Sequence, residues 1–311
     1  MDSVILIKES QHFFTTFQSY KEETMKKILI SLLLSLLIIN PVQTFADLAE
    51  GDMIVTLGEN LTDNQKTTLL AEMGAPNDVQ IVTVSNQEEH KYLGKYVSQS
   101  LIGTKAISSS AITMQPKGSG ITVKTKNINW VTDEMYVNAL ITAGVKDAKI
   151  YITAPITVSG TAALTGIIKA YEISADKTIP EEVKQAANQE MVETAKLGDS
   201  IGDKNAAALI AKVKEEIANN KPKNDAELQK IIEQAANELN VKLTDAEMKR
   251  LMDFFNKLMD LNIDWNQVSD QLNKAQDRIS KFLQSEEGQG FLEKIKQFIT
   301  SIINAIKAIF S

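Results

Sequence analysis

The 311-residue chain contains no cysteine. That excludes a disulfide-stapled scaffold, cysteine-ligated zinc or iron–sulfur sites, a cysteine nucleophile and a lipid anchor attached through cysteine. Histidine is almost as scarce, with two residues in all and only His90 beyond residue 46. Most familiar acid–base and nucleophilic designs need a histidine, so few catalytic arrangements remain. There are just two arginines, Arg250 and Arg278, and the net charge is −7, which argues against a nucleic-acid partner. No apolar run approaches the roughly 20 residues of a membrane span, so a polytopic membrane protein is excluded as well.

The longest apolar run is the 12 residues from Ile28 to Ile39, built only of isoleucine, leucine and two serines. Met25-Lys26-Lys27 precedes it, Asn40-Pro41 breaks any helix after it, and Thr44-Phe45-Ala46 places small residues where a signal peptidase cuts. A positive start, a short apolar core and a small-residue cleavage site together predict a secretory signal over residues 25–46. The alternative is an uncleaved anchor, which the short core disfavours. Residues 1–24 do not fit ahead of a signal, so Met25 is read as the true start and 1–24 as an upstream extension.

The remaining 265 residues change composition near residue 175. Residues 47–175 hold 15 threonines, ten glycines and no phenylalanine, whereas 176–311 hold four threonines, four glycines and six phenylalanines. β-branched and turn-forming residues therefore give way to helix formers. The expected fold is α+β: a mixed, layered α/β domain over 47–175, then an all-helical domain over 176–311. Net charges of −3 and −4 on these parts make the acidity a general surface property rather than a docking patch.

Within the first part, Met53–Leu57 and Val79–Val84 read as strands. Between them, Thr62 with Gln65 three residues on predicts a capped helix ending at Gly74. Gln87–Leu101 reads as one helix, with Leu93 and Val97 four apart. Ala106–Met114 and Ile121–Thr125 read as an antiparallel hairpin around Pro116, Gly118 and Gly120. Thr132 caps a helix over Asp133–Ala143 that Gly144 ends, and Ala148–Ala154 returns as a strand that Pro155 should stop. The second part reads as helices divided at 198–203, 221–224, 240–244, 262–264 and 286–290. Thr244-Asp245-Ala246-Glu247 opens one of them with a second capping box.

Several short motifs suggest chemistry. Gly198-Asp199-Ser200-Ile201 looks like the nucleophile box of an esterase family, but no histidine follows it to serve as base, and a polar helix–helix turn explains it better. Asp260-Leu261-Asn262-Ile263-Asp264-Trp265 begins like a calcium loop, yet Trp265 replaces the glycine and Gln271 the bidentate acid. An interhelical turn with Asp264 as cap and Trp265 as staple is favoured. Gly118-Ser119-Gly120 precedes a strand and suits a turn, not a phosphate cradle. His90 alone makes no metal site and reads as a surface helix residue. Trp130 reads as core rather than a sugar-stacking platform. The residues thus point to no cofactor and no metal, and assign no catalytic residue. Residues 291–311 carry a broad apolar stripe that includes Phe291, Ile295, Phe298, Ile302 and Ile306. The segment is expected to pack on neighbouring helices, or else to lie on a membrane surface or a partner.

Asn138–Val145, Ala154–Gly166 and Lys169-Ala170-Tyr171-Glu172 resemble the secreted YpuA-like proteins of Gram-positive bacteria, a family grouped as domain of unknown function 1002. The resemblance extends over nearly all of residues 47–311. It implies an exported, envelope-associated or extracellular protein and brings no catalytic residues with it. Physically, Ser159-Gly160-Thr161 offers a turn and a cap before a helix from Ala162. The backbone N–H groups of such a loop can hold an anion, although ordinary strand-to-helix loops are built the same way. The expected role is therefore binding in the cell envelope without catalysis, with an envelope protein, the cell wall or a membrane surface met through the C-terminal helices. A carboxylate-based hydrolase of wall polymers or peptides is the alternative.

Overall fold

The computed structural model describes residues 50–284, with side chains described through residue 275. The expectations for 1–24, 25–46, 286–290 and 291–311 lie outside the described residues. Five strands form one sheet: β1 (Met53–Gly58), β2 (Gln80–Val84), β3 (Ser109–Met114), β4 (Ile121–Ile128) and β5 (Ala148–Val158). Among the described residues ten helices lie between and after these strands. α1 (Asp63–Met73), α2 (Asn86–Leu93), α3 (Gln99–Ile102), α4 (Asp133–Thr142) and α5 (Thr161–Ser174) belong with the sheet. α6 (Glu181–Ile201), α7 (Asp203–Asn219), α8 (Asp225–Glu238), α9 (Asp245–Asp260) and α10 (Trp265–Gln284) continue the chain. The protein is α+β, a layered mixed sheet followed by helices.

The capping signals act as their chemistry requires. Thr62 and Thr244 each accept from the backbone three residues on while Gln65 and Glu247 reach back to the cap, and Gly74 closes α1 in the left-handed conformation. Alternation of side chains along the strands divides the apolar residues between two faces. Val55, Leu57 and Ala111 pack beneath Leu61, Leu69 and Met73 around α1. On the opposite face Ile54, Ile112, Ile121, Ile150 and Ile152 share one core with α4, α5 and α6. That core continues through Ala207 of α7 and Val268 of α10, so it draws on both sides of residue 175. A second cluster, containing Phe254 and Phe255, joins α6 to α7, α8 and α9.

The strand order is β2-β1-β3-β5-β4, which overturns the expected β3–β4 hairpin. β5 lies between them, antiparallel to β3 and parallel to β4. Burial explains why. Ile150, Ile152 and Ala154 are buried, as is Thr153 on the opposite face, so β5 needs neighbours on both sides. β4 exposes Thr122, Lys124 and Lys126 on one face and suits an edge. Residues 115–120 therefore bridge two strand spacings, roughly 10 Å. Asp147 clamps the bridge: its carbonyl accepts from Gln115 N at 2.8 Å and its carboxylate from Gly120 N at 2.7 Å.

Two further expectations change. The helix expected over Gln87–Leu101 stops at Leu93 and resumes only as the short α3, because Gly94 ends α2 and residues 94–98 turn. Strand β5 runs through Pro155 to Val158. Pro155 falls in the bulge between the Lys126–Thr153 and Ile128–Val158 pairs, where no ladder bond is asked of its missing N–H.

Candidate functional site

Four of the five strands run parallel, so the carboxyl ends of β1, β2, β4 and β5 share one edge of the sheet. Ligands of open α/β sheets gather at such an edge. Here the Ser159-Gly160-Thr161 loop begins α5, with Gly160 as the N-cap at φ 91° and no side-chain cap. A side chain at 160 would collide with Tyr136 and Ile128, and the Tyr136 hydroxyl donates to the Gly160 carbonyl at 2.5 Å. Thr161 does not cap; its hydroxyl donates to the buried carboxylate of Glu89 on α2. Asn86 donates to the same carboxylate at 3.2 Å. A carboxylate of the chain itself thus takes the hydroxyl of the loop considered for an anion. Burial pushes the Glu89 carboxyl above the usual range, although Thr161 and Asn86 oppose that shift. His90, half-buried on α2, places Nε2 3.1 Å from the Gly103 carbonyl.

One turn further along α5, a half-open pocket of about 190 Å³ is lined by α2, α5 and α6. Its rim carries two ion pairs: Lys169–Glu88 at 2.7 Å and Lys184–Glu172 at 3.2 Å. Burial pushes the Glu88 carboxyl up, but the Lys169 ammonium and the Ser85 cap outweigh it and leave the pKa low. Inside, Thr165 and Asn188 are 5% and 1% exposed. Neither the Thr165 hydroxyl nor the Asn188 carbonyl oxygen has a hydrogen-bond partner. Buried polar atoms are nearly always paired, and these two, with almost no accessible surface of their own, lie behind the pocket wall rather than on it.

A third polar cluster lies between α4, α6 and α7. Lys214 and Glu190 are both fully buried and meet at 2.9 Å. The Thr142 hydroxyl donates to the other Glu190 oxygen at 2.5 Å, and Lys214 also donates to the Asn138 carbonyl at 2.8 Å. Burial pushes Glu190 up and Lys214 down, each opposed by its partner's charge. On the sheet's other face, Glu72 accepts from Tyr151, Thr153 and Lys126, and burial together with Glu72 pushes the Tyr151 phenol up to about 12.

The motifs singled out in the sequence lie away from these clusters. Ser200 sits in the last turn of α6 and donates to Glu247 at 2.5 Å, as part of a helix–helix junction rather than a strand-to-loop elbow. Asp264 accepts from Gln267 N at 3.0 Å, and Trp265 packs against both large cores. Gly118–Gly120 belongs to the bridge over β5, and half-buried Trp130 packs on the main core. Among the described residues no cluster of three or more acidic or histidine side chains is placed to hold a metal ion. No described helix is long and apolar enough to cross a membrane. Sequence reasoning missed Glu89, Thr165, Asn188 and the Glu190–Lys214 pair. The one local hint was at Lys214, which has Ile210, Ala211 and Ile217 at helical spacing around it.

Residues 57–275 match the family model described as a protein of unknown function, DUF1002, and the chain belongs to that family. The chain is also similar to the uncharacterized protein YpuA of Bacillus subtilis (strain 168). Identity is 57% over 289 residues, covering 92% of this chain and all of that protein. No solved structure matches.

Proposed function

We propose that this protein is exported and works by binding, not catalysis, in the cell envelope or outside the cell. The observation that carries the binding part is the half-open α2–α5–α6 pocket, whose rim holds the Lys169–Glu88 and Lys184–Glu172 ion pairs. Its two carboxylates, Glu88 and Glu172, are each paired with a lysine, which leaves neither poised as a free acid or base for hydrolysis. Export rests on the positive, apolar and small-residue pattern over residues 25–46. Fractionating cells that express the chain with and without residues 25–46 tests it. The full chain should yield a product beginning at Asp47 outside the cytoplasm, while the shortened one stays inside. A cytoplasmic product that keeps residues 25–46 would overturn export.

A further inference from the structure

We infer that the face of the sheet beside α1 binds a linear polyanion with phosphate groups along its chain. Alternation sends Thr122, Lys124 and Lys126 of β4 and Lys149, Tyr151 and Thr153 of β5 to this side, away from the main core. None of these is acidic. α1 covers Val55, Leu57 and Ala111 and meets β5 through Glu72, which accepts from Lys126, Tyr151 and Thr153. Beyond Glu72 the face is open, with Thr122, Lys124 and Lys149 exposed. Among the described residues neither the Lys124 nor the Lys149 ammonium has an ion-pair or hydrogen-bond partner; Lys124 acts on Asp133 only through its field. The face therefore sets the cations of Lys124, Lys126 and Lys149 against the single carboxylate of Glu72, in a part of the chain whose net charge is −3.

Lysine on an edge strand guards against edge-to-edge pairing, and Lys124 and Lys126 fit that role. Lys149 does not, because β5 is paired on both sides. It lies opposite Thr122 and diagonal to Lys124. Strand geometry spaces Lys124 about 7 Å from Lys126 and about 8 Å from Lys149. That is an open array for an extended chain, not a cradle for one small ion. Flexible ammonium groups with the Thr122 hydroxyl beside them suit tetrahedral phosphates. Planar carboxylates are matched best by the arginine fork, and both arginines lie elsewhere, on α9 and α10. Tyr151, the one aromatic ring here, packs against the α1 cluster, so nucleic-acid bases have no stacking platform. A lipid surface would also meet the rest of a chain of net charge −7. A slender polymer stays within the roughly 8 Å over which charge acts at physiological salt.

The test is fluorescence anisotropy of labelled long-chain inorganic polyphosphate titrated with the purified protein. Binding should weaken with salt, with a slope of log Kd on log salt of about 2–3 for three neutralised phosphates. Lys124→Gln with Lys149→Gln should lower the slope to about 1 and weaken binding roughly 15–30-fold at about 0.15 M salt. Both side chains are exposed, so Tm should not change, and Lys230→Gln, at an exposed lysine on α8, should leave Kd unaltered. No binding, or an equal loss in the Lys230→Gln variant, would overturn the inference. Orthophosphate competing as well per phosphate would overturn the extended ligand, and equal affinity for poly-L-glutamate would overturn the phosphate. Tighter binding to single-stranded DNA or to phosphatidylglycerol vesicles would replace the polymer with a nucleic acid or a membrane. This face lies across the sheet from α5, so its failure leaves the reading of the α2–α5–α6 pocket as it stands.

Discussion

Asn188 and Glu190 lie two residues apart on α6, both buried, and their surroundings are opposite in kind. Glu190 has Lys214 on one oxygen and Thr142 on the other, and Lys214 is further bound to the Asn138 carbonyl. Asn188 donates its amide to the Lys184 carbonyl at 2.8 Å but leaves its own carbonyl oxygen buried without a partner. A satisfied buried ion pair contributes little net stability but fixes how its elements meet, since desolvation offsets the attraction. An unsatisfied group costs stability and persists where something else completes it. The difference separates a completed buried contact from an incomplete one along one helix, and several variants can break or sharpen it.

The largest effect is expected from Lys214→Met, which strands the Glu190 carboxylate in the core. It should cost about 3–5 kcal/mol in denaturant unfolding, and adding Glu190→Gln should recover most of the loss. A loss under about 1 kcal/mol for the single variant would mean that α4, α6 and α7 are not held through this pair. Next, Glu89→Ala removes the acceptor of the Thr161 hydroxyl and should cost about 1–3 kcal/mol. Glu89 also carries a pH signature. Its folded pKa is raised above the ordinary 4.5, so the folded state holds the proton more tightly and stability falls as pH rises from 4.5 through the folded value. Glu89→Gln should abolish that decline, as read from unfolding midpoints across pH 4–8.

At the cavity the sign reverses, with Thr165→Val expected to gain up to about 1 kcal/mol without ligand. The smallest effect is expected at the α9 capping box. Hydrogen bonds from Ser200 and from Thr244 hold Glu247 below its ordinary pKa of 4.5. Its contribution is full above pH 4.5 and is lost as pH falls through the lower folded value. Glu247→Gln should remove that acid limb at a cost of about 1 kcal/mol or less at neutral pH.

Local chemistry made the helices legible before any coordinates. Thr62, Thr132 and Thr244 each cap the helix that their spacing predicts, and Gly74 and Gly144 both take positive φ just past a helix end. Strand pairing was not legible, because adjacency in the chain suggested a hairpin while β5, arriving 34 residues after Met114, takes the place beside β3. The same distance hid the site. Glu88 and Asn188 lie a hundred positions apart, and nothing local marks either as lining one cavity. The acidic residues were too numerous to single out Glu89 or Glu190, whose distinction is burial alone.

The placement of β5 also has a consequence in time. Until it is made, β3 and β4 each lack their shared neighbour, and the short 115–120 link would let them pair with one another instead. That premature pairing would have to open before β5 could enter, with α4, the connection from β4 to β5, packed on β4. The sheet therefore closes through contacts of long sequence separation, a slow class of folding step. A nascent chain that ends before residue 148 lacks the strand on which its own sheet depends.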